Sequence, residues 1–191
     1  MGAVAADAVV VGASAGALEA LSIILPALPA DYRLPVIIVV HVPPDKKSVL
    51  AELFQAKCNT SVKEAEDKEP ITAGTIYFAP PDYHLLVERD KSFSLSNDEP
   101  VLFSRPSVDV LFESAADAYG PALVAIVLTG ANQDGAKGVR AAFDCGGTAI
   151  VQRPSTAFSA AMPEAAIDAC PLAHVLSPEE IAVYLLSLAK V

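Results

Sequence analysis

Tryptophan is absent from this chain, and its 191 residues include only three cysteines and two methionines. The odd number of cysteines (Cys58, Cys145, Cys170) and the lack of any C-x-x-C spacing read as buried thiols of a cytoplasmic protein. Long hydrophobic runs are missing too. The longest, Val36–Val40 and Ala122–Leu128, fall far short of the roughly 20 residues that a spanning helix needs, so the chain is not membrane-inserted and both runs read as buried strands. Met1–Val11 has no Lys or Arg ahead of its apolar run and carries Asp7 inside it, unlike a secretory signal. Ala6 breaks the myristoylation pattern. Basic residues are scarce, 13 against 23 acidic ones for a net charge of −10, which excludes nucleic acid as a partner because an acidic surface repels phosphate backbones. Disorder is excluded in turn, since 53% of the residues are hydrophobic and only 19% charged.

What is present is an alternation of short β-branched runs with longer Ala/Leu-rich segments. Strands are expected at Ala8–Val11, Leu34–Val40, Ala122–Leu128, Thr148–Val151 and Ala173–Leu176. Helices are expected at Gly16–Leu25, Ser48–Gln55, Val108–Tyr119, Gly135–Cys145, Pro163–Ala169 and Glu179–Ala189. Thr75–Ala79, His84–Glu88 and Ser92–Ser96 read as a small antiparallel excursion. Ser177, Pro178 and Glu180 form a capping box for the last helix. The class is therefore α/β, a doubly wound, mostly parallel sheet with helices on both faces, in one domain spanning residues 1–191.

Ligands of open α/β sheets bind beyond the carboxyl ends of the parallel strands. There this chain places Ser14 in Gly12-Ala13-Ser14-Ala15-Gly16, His41 after the second strand, and Thr129 to Asp134 after Leu128. Gln152-Arg153 follows the next strand. The first segment has the G-x-S-x-G pattern of a nucleophile elbow between strand and helix. Each residue also has a plain alternative: Ser14 and Asp134 as helix N-caps, His41 as a structural residue. A dinucleotide fingerprint fits less well, because Ser14 and His41 stand where glycine and an acidic residue are wanted. His84, in the antiparallel excursion, and His174, in a late strand, are weaker candidates for a base.

Several stretches are similar to the catalytic domain of chemotaxis protein-glutamate methylesterases of the CheB type. They are Val10 to Ala20, Val40-His41-Val42-Pro43-Pro44, Ala79-Pro80-Pro81-Asp82-Tyr83-His84-Leu85, Arg105 to Phe112, Leu128 to Gly138 and Ala161 to Ala166. The resemblance implies a Ser14–His41–Asp134 triad that hydrolyses glutamyl methyl esters of methyl-accepting chemotaxis receptors, with glutamine deamidation as a related activity. Oxyanion donors would be the backbone N–H groups of Ala15 and Ala131, and substrate contacts would come from Thr129, Arg105 and Arg153. No cofactor and no metal is implied. The wording departs from the family at Ser14-Ala15-Gly16-Ala17, where Ser-Thr-Gly-Gly is usual, and at Thr129-Gly130-Ala131-Asn132, where Thr-Gly-Met-Gly is usual. Asp45-Lys46-Lys47-Ser48 likewise replaces the family's Gly-Phe-Thr. Typical members also carry an N-terminal receiver domain, which is not expected here. A serine hydrolase acting on another ester or amide, a catalytically retired receptor-binding module, and a nucleotide-binding domain are the other readings.

Overall fold

The computed structural model describes residues 5–42 and 49–188. The Pro43-Pro44 pair, the Asp45-Lys46-Lys47-Ser48 departure and Ala189 therefore lie outside the described residues.

In chain order the elements are β1 (Ala8–Ala13), α1 (Ala17–Ile24), β2 (Val36–Val40), α2 (Leu50–Gln55), β3 (Ser61–Glu64), β4 (Thr75–Phe78), β5 (His84–Val87) and β6 (Phe93–Ser96). Then come α3 (Val108–Tyr119), β7 (Leu123–Val127), α4 (Ala136–Asp144), β8 (Thr148–Gln152), α5 (Ala161–Ala169), β9 (His174–Leu176) and α6 (Pro178–Leu188). Seven strands form one sheet in the order β3-β4-β2-β1-β7-β8-β9, and every pairing in it is parallel. β5 and β6 make a separate antiparallel pair.

Two apolar layers explain why the central strands show no polar alternation. Ala8 and Val10 join Ile37, Val39, Ala125 and Val127 in a core with Phe112 of α3, Val139 of α4 and Met162 of α5. Val9, Val11 and Ala13 point the other way, into a core with Leu21 of α1, Phe54 of α2 and Ile181 of α6. Successive strand residues face opposite sides, so a sheet covered on both faces needs apolar residues at every position. The chain leaves β1 toward β2 on one side and later returns to β7 on the other. The strand order thus reverses at β1, and a crevice opens beyond its carboxyl end.

Two expectations are corrected. Thr75–Ala79 is not part of the antiparallel excursion: β4 pairs in parallel between β3 and β2 and is buried along its whole length. β3 is an edge strand with a single buried residue, Val62, so it carries no hydrophobic run that would announce it. The thiols also differ from expectation, since Cys170 is buried but Cys58 is half-buried and Cys145 exposed. The capping box is present, with Glu180 N–H on Ser177 Oγ at 3.3 Å and Ser177 N–H on the Glu180 carboxylate at 2.7 Å.

The start of α3 presses directly on β1. A Cβ on Gly12 would stand 2.2 Å from Cγ1 of Val108, so only glycine lets the helix reach this depth. Gly12→Ala is expected to destabilise the fold by about 1–3 kcal/mol through overpacking. Val108→Ala made in the same chain should restore most of the loss. Urea denaturation of the single and double variants checks both statements; independent, additive losses would disprove the clash.

Candidate active site

At the end of β2 the parallel register runs Ala13 opposite Val40, and the His41 N–H bonds the Ala13 carbonyl at 3.1 Å. Ser14 and His41 therefore leave neighbouring strands at the same level. On the other side of β1, Ser14 N–H bonds the Thr129 carbonyl at 2.9 Å, which ties the Ser14 turn to the end of β7. Gly130 has to be glycine in this corner: a Cβ there would lie 2.5 Å from Met162 Sδ and 3.1 Å from Ser14 Cβ.

The centre of the site is a buried carboxylate. Asp134 is fully shielded from solvent and takes four hydrogen bonds from described residues. His41 Nε2 donates to Oδ2 at 2.8 Å, and the Val108 N–H donates to the same oxygen at 2.7 Å. Oδ1 accepts the Ser107 hydroxyl and the Asp109 N–H, each at 2.9 Å. Burial alone would raise this carboxyl. The bonds from His41, Asp109 and Val108 outweigh it and hold the group below the ordinary carboxylate range. Asp134 is thus an anion seated on the N-terminus of α3, where free N–H groups and the helix dipole favour negative charge.

This geometry disposes of two plain alternatives. The N-cap of α4 is Gly135, in a left-handed conformation and with no side-chain cap, so Asp134 does not cap the helix that follows it. The N-cap of α1 is Gly16, again without a side-chain cap, so Ser14 is not a helix cap either. The Ser14 hydroxyl makes no hydrogen bond among the described residues and is partly exposed. With Nε2 committed to a carboxylate, His41 keeps Nδ1 as its acceptor nitrogen. That nitrogen faces the Ser104 hydroxyl at 3.5 Å.

The remaining candidates separate. The N–H groups of Ala15 and Ala131 have no backbone partner among the described residues, as an oxyanion site requires. Thr129 is buried, and its hydroxyl donates to the Ala15 carbonyl at 2.7 Å while accepting Ser159 N–H at 3.0 Å; it braces the turn that carries Ser14. Arg105 lines an open cleft of about 450 Å³ together with His41, Asp82 and Ser104. Its guanidinium is held by Asp82 Oδ1 and by the carbonyls of Asn97 and Asp98. Arg153 instead pairs with Glu180 at 2.7 Å.

The supporting roles of three residues do not follow from the sequence reading. Asp109 accepts the Gly135 and Gly138 N–H groups at 2.9 and 2.7 Å, capping α4 just as Asp134 caps α3. Buried His84 accepts the Ser107 N–H at 3.2 Å and so fixes the residue that caps α3. Gln152 accepts the Thr129 N–H at 2.9 Å. A polar residue closing an apolar strand was the available signal for Gln152, whereas Asp109 and His84 meet their partners only through the fold.

Burial pushes the Asp109 carboxyl up to about 6 against the pull of the Gly138 N–H, and the nearby Asp134 carboxylate adds to the rise. A raised acid stays protonated in the folded protein after it has ionised in the unfolded chain, so the penalty grows as pH rises from the ordinary carboxylate value of 3.8 and is complete above about 6. The depressed Asp134 contributes stability above the ordinary carboxylate range and loses it only at lower pH, so it does not change between pH 5 and 8. Asp109→Asn keeps an oxygen for both N–H groups. It should therefore add about 1 kcal/mol more stability at pH 8 than at pH 5. Urea denaturation at the two pH values measures this, and an equal effect at both would disprove it.

Residues 9–185 match the family model described as CheB methylesterase. The chain is 48% identical over 176 residues to a putative protein-glutamate methylesterase/protein-glutamine glutaminase of Leptospira interrogans, covering 92% of this chain and 91% of that protein. It is 39% identical to the protein-glutamate methylesterase/protein-glutamine glutaminase of Archaeoglobus fulgidus, covering 91% of this chain and 51% of that longer protein. The crystal structure of the Thermotoga maritima CheB methylesterase catalytic domain superposes with a TM-score of 0.91 at 34% identity, over 97% of this chain and the whole of that one. With strand-end chemistry, sheet order and sequence in agreement over nearly its full length, the chain belongs to the CheB methylesterase family.

Proposed function

We propose that this protein is a serine hydrolase that removes methyl esters from glutamate side chains of chemotaxis receptors, with glutamine deamidation at the same site. The reading takes the protein glutamyl ester and glutamine from the names of its relatives in Leptospira and Archaeoglobus, and the receptor from the resemblance to chemotaxis methylesterases. Receptor domains that carry such esters face the cytoplasm, which is where we place the enzyme; no described helix is long and apolar enough to cross a membrane. The observation that carries the chemistry is the 2.8 Å bond between His41 Nε2 and the shielded Asp134 carboxylate, with His41 at the end of the strand next to the one that leads into Ser14, whose hydroxyl has no hydrogen bond among the described residues.

In this mechanism Asp134 holds His41 in the tautomer whose free nitrogen is Nδ1. His41 takes the Ser14 proton at Nδ1 as the Ser14 oxygen attacks the ester carbonyl. The step requires the Ser14 hydroxyl to approach Nδ1, which faces the Ser104 hydroxyl at 3.5 Å; catalytic hydrogen bonds commonly form only when substrate fills the site. The Ala15 and Ala131 N–H groups hold the oxyanion, and one such donor is worth roughly 10²–10³ in rate. His41 then returns the proton to the departing methanol. Water, deprotonated by His41, cleaves the glutamyl–Ser14 ester and leaves glutamate. With glutamine as substrate the same steps release ammonia.

The test is methanol release from a methylated receptor fragment. Ser14→Ala should lower kcat by roughly 10³ or more. Its thermal midpoint should stay within a few degrees, because Ser14 caps no helix. A Ser14→Ala protein that retains its rate would sink the mechanism.

A further inference from the structure

The segment just before α3 contains a turn that neither packing nor backbone preference explains. Val101 N–H bonds the Ser104 carbonyl at 3.1 Å and Ser104 N–H bonds the Val101 carbonyl at 2.8 Å, closing a two-residue loop. Its two central residues, Leu102 and Phe103, have φ of 48° and 64°. Such loops favour Asn-Gly, because bulky side chains are strained in the left-handed region. Burial offers no compensation, for Phe103 is fully exposed and Leu102 is exposed as well.

The position of the turn is specific. Phe103 and Ser104 line the cleft that contains His41 and Arg105. On its other flank, Leu102 and Phe103 border a second cleft of about 440 Å³ with Asn132, Gln133, Ala161 and Ala165. Phe103 is therefore the ridge between the two. The base of the turn is held firm: Ser104 faces His41, and the Arg105 side chain is locked by Asp82 and by two carbonyls. A rigidly supported aromatic at the rim of a catalytic cleft is a binding anchor that loses little freedom on association. Strain kept at such a place is retained for function.

We infer that the Val101–Ser104 turn is the element that recognises the protein substrate, with Phe103 the specificity-determining residue against which the ester-bearing segment packs on both sides. This rests on the methylesterase reading above and adds to it the feature that separates a protein ester from a small one. A small ester needs only the cleft at His41, whereas a polypeptide continues across the ridge into the second cleft.

The test compares methanol release from a methylated cytoplasmic receptor fragment with that from a glutamate γ-methyl ester blocked at both ends. Phe103→Ala should raise KM for the fragment about tenfold with little change in kcat, the mark of lost uniform binding. The ratio of fragment to small-ester kcat/KM falls by the same factor. The double change Leu102→Asn, Phe103→Gly supplies the residues the turn prefers, so it should raise the thermal midpoint while lowering that ratio at least as far. A higher midpoint with the ratio unmoved makes the turn merely structural and overturns the inference, as does Phe103→Ala with wild-type KM for the fragment. Wild-type protein that cleaves the small ester but not the fragment overturns the receptor reading itself, and the role of Phe103 falls with it.

Discussion

Two buried carboxylates, each seated on the N-terminus of the helix that carries or follows the other, hold this fold and its site in one arrangement. Asp134 precedes α4 and binds the first N–H groups of α3; Asp109 lies in α3 and binds the first N–H groups of α4. An isolated buried carboxylate is costly, and each helix start leaves N–H donors without intrahelical partners. The exchange settles both debts with the same bonds. It also makes the spacing of α3 and α4 a matter of hydrogen-bond length rather than of apolar packing alone. Gly138 belongs to the same constraint, since a Cβ there would meet Phe112 at 2.5 Å and push the helices apart.

The orientation of His41 follows from that exchange. The Asp134 oxygen that accepts the Val108 N–H is the one that accepts His41 Nε2. The imidazole is thus aligned by a carboxylate that cannot swing without abandoning the start of α3. The two Asp134 oxygens share four donors, which leaves little acceptor capacity for competing water. Behind this lies His84, whose Nδ1 accepts the Ser107 N–H and whose Nε2 donates to the Glu99 carbonyl at 3.1 Å. A histidine that the sequence offers only as a weaker base candidate thus supports the segment that aligns His41.

Much of this was legible in the residue order, and the exceptions have physical causes. α3 begins and ends where its pattern indicates, because Ser107 is a true N-cap and Gly120 follows its last turn. The apolar runs of β2 and β7 mark them as central parallel strands, and the strand-end rule brings Ser14, His41 and Asp134 to one sheet edge. β3 goes unannounced and β4 reads as part of the hairpin for opposite reasons: one is too polar to signal burial, the other too short to show a period beside the true hairpin. Asp134-Gly135-Ala136-Lys137 has the local pattern of a helix cap, yet a long-range partner claims the carboxylate. Local pattern names the donors a segment needs and is silent on which distant acceptor supplies them.

The site is consequently asymmetric. Its floor, made of Ser14, His41 and Asp134 on neighbouring strand ends, is tied down through Thr129, Gly130 and Ser159 and tolerates almost no added atom. Its rim is different in kind, with Phe103 and Phe158 both largely exposed. Chemistry needs groups held to within fractions of an ångström, which strand ends in a doubly covered sheet provide. Choosing a partner needs apolar area that is dry only when the partner is present. One polypeptide meets both demands by placing them on different structures: the chemistry where helices and strands lock one another, and the recognition on a two-residue turn whose residues nothing in the core requires.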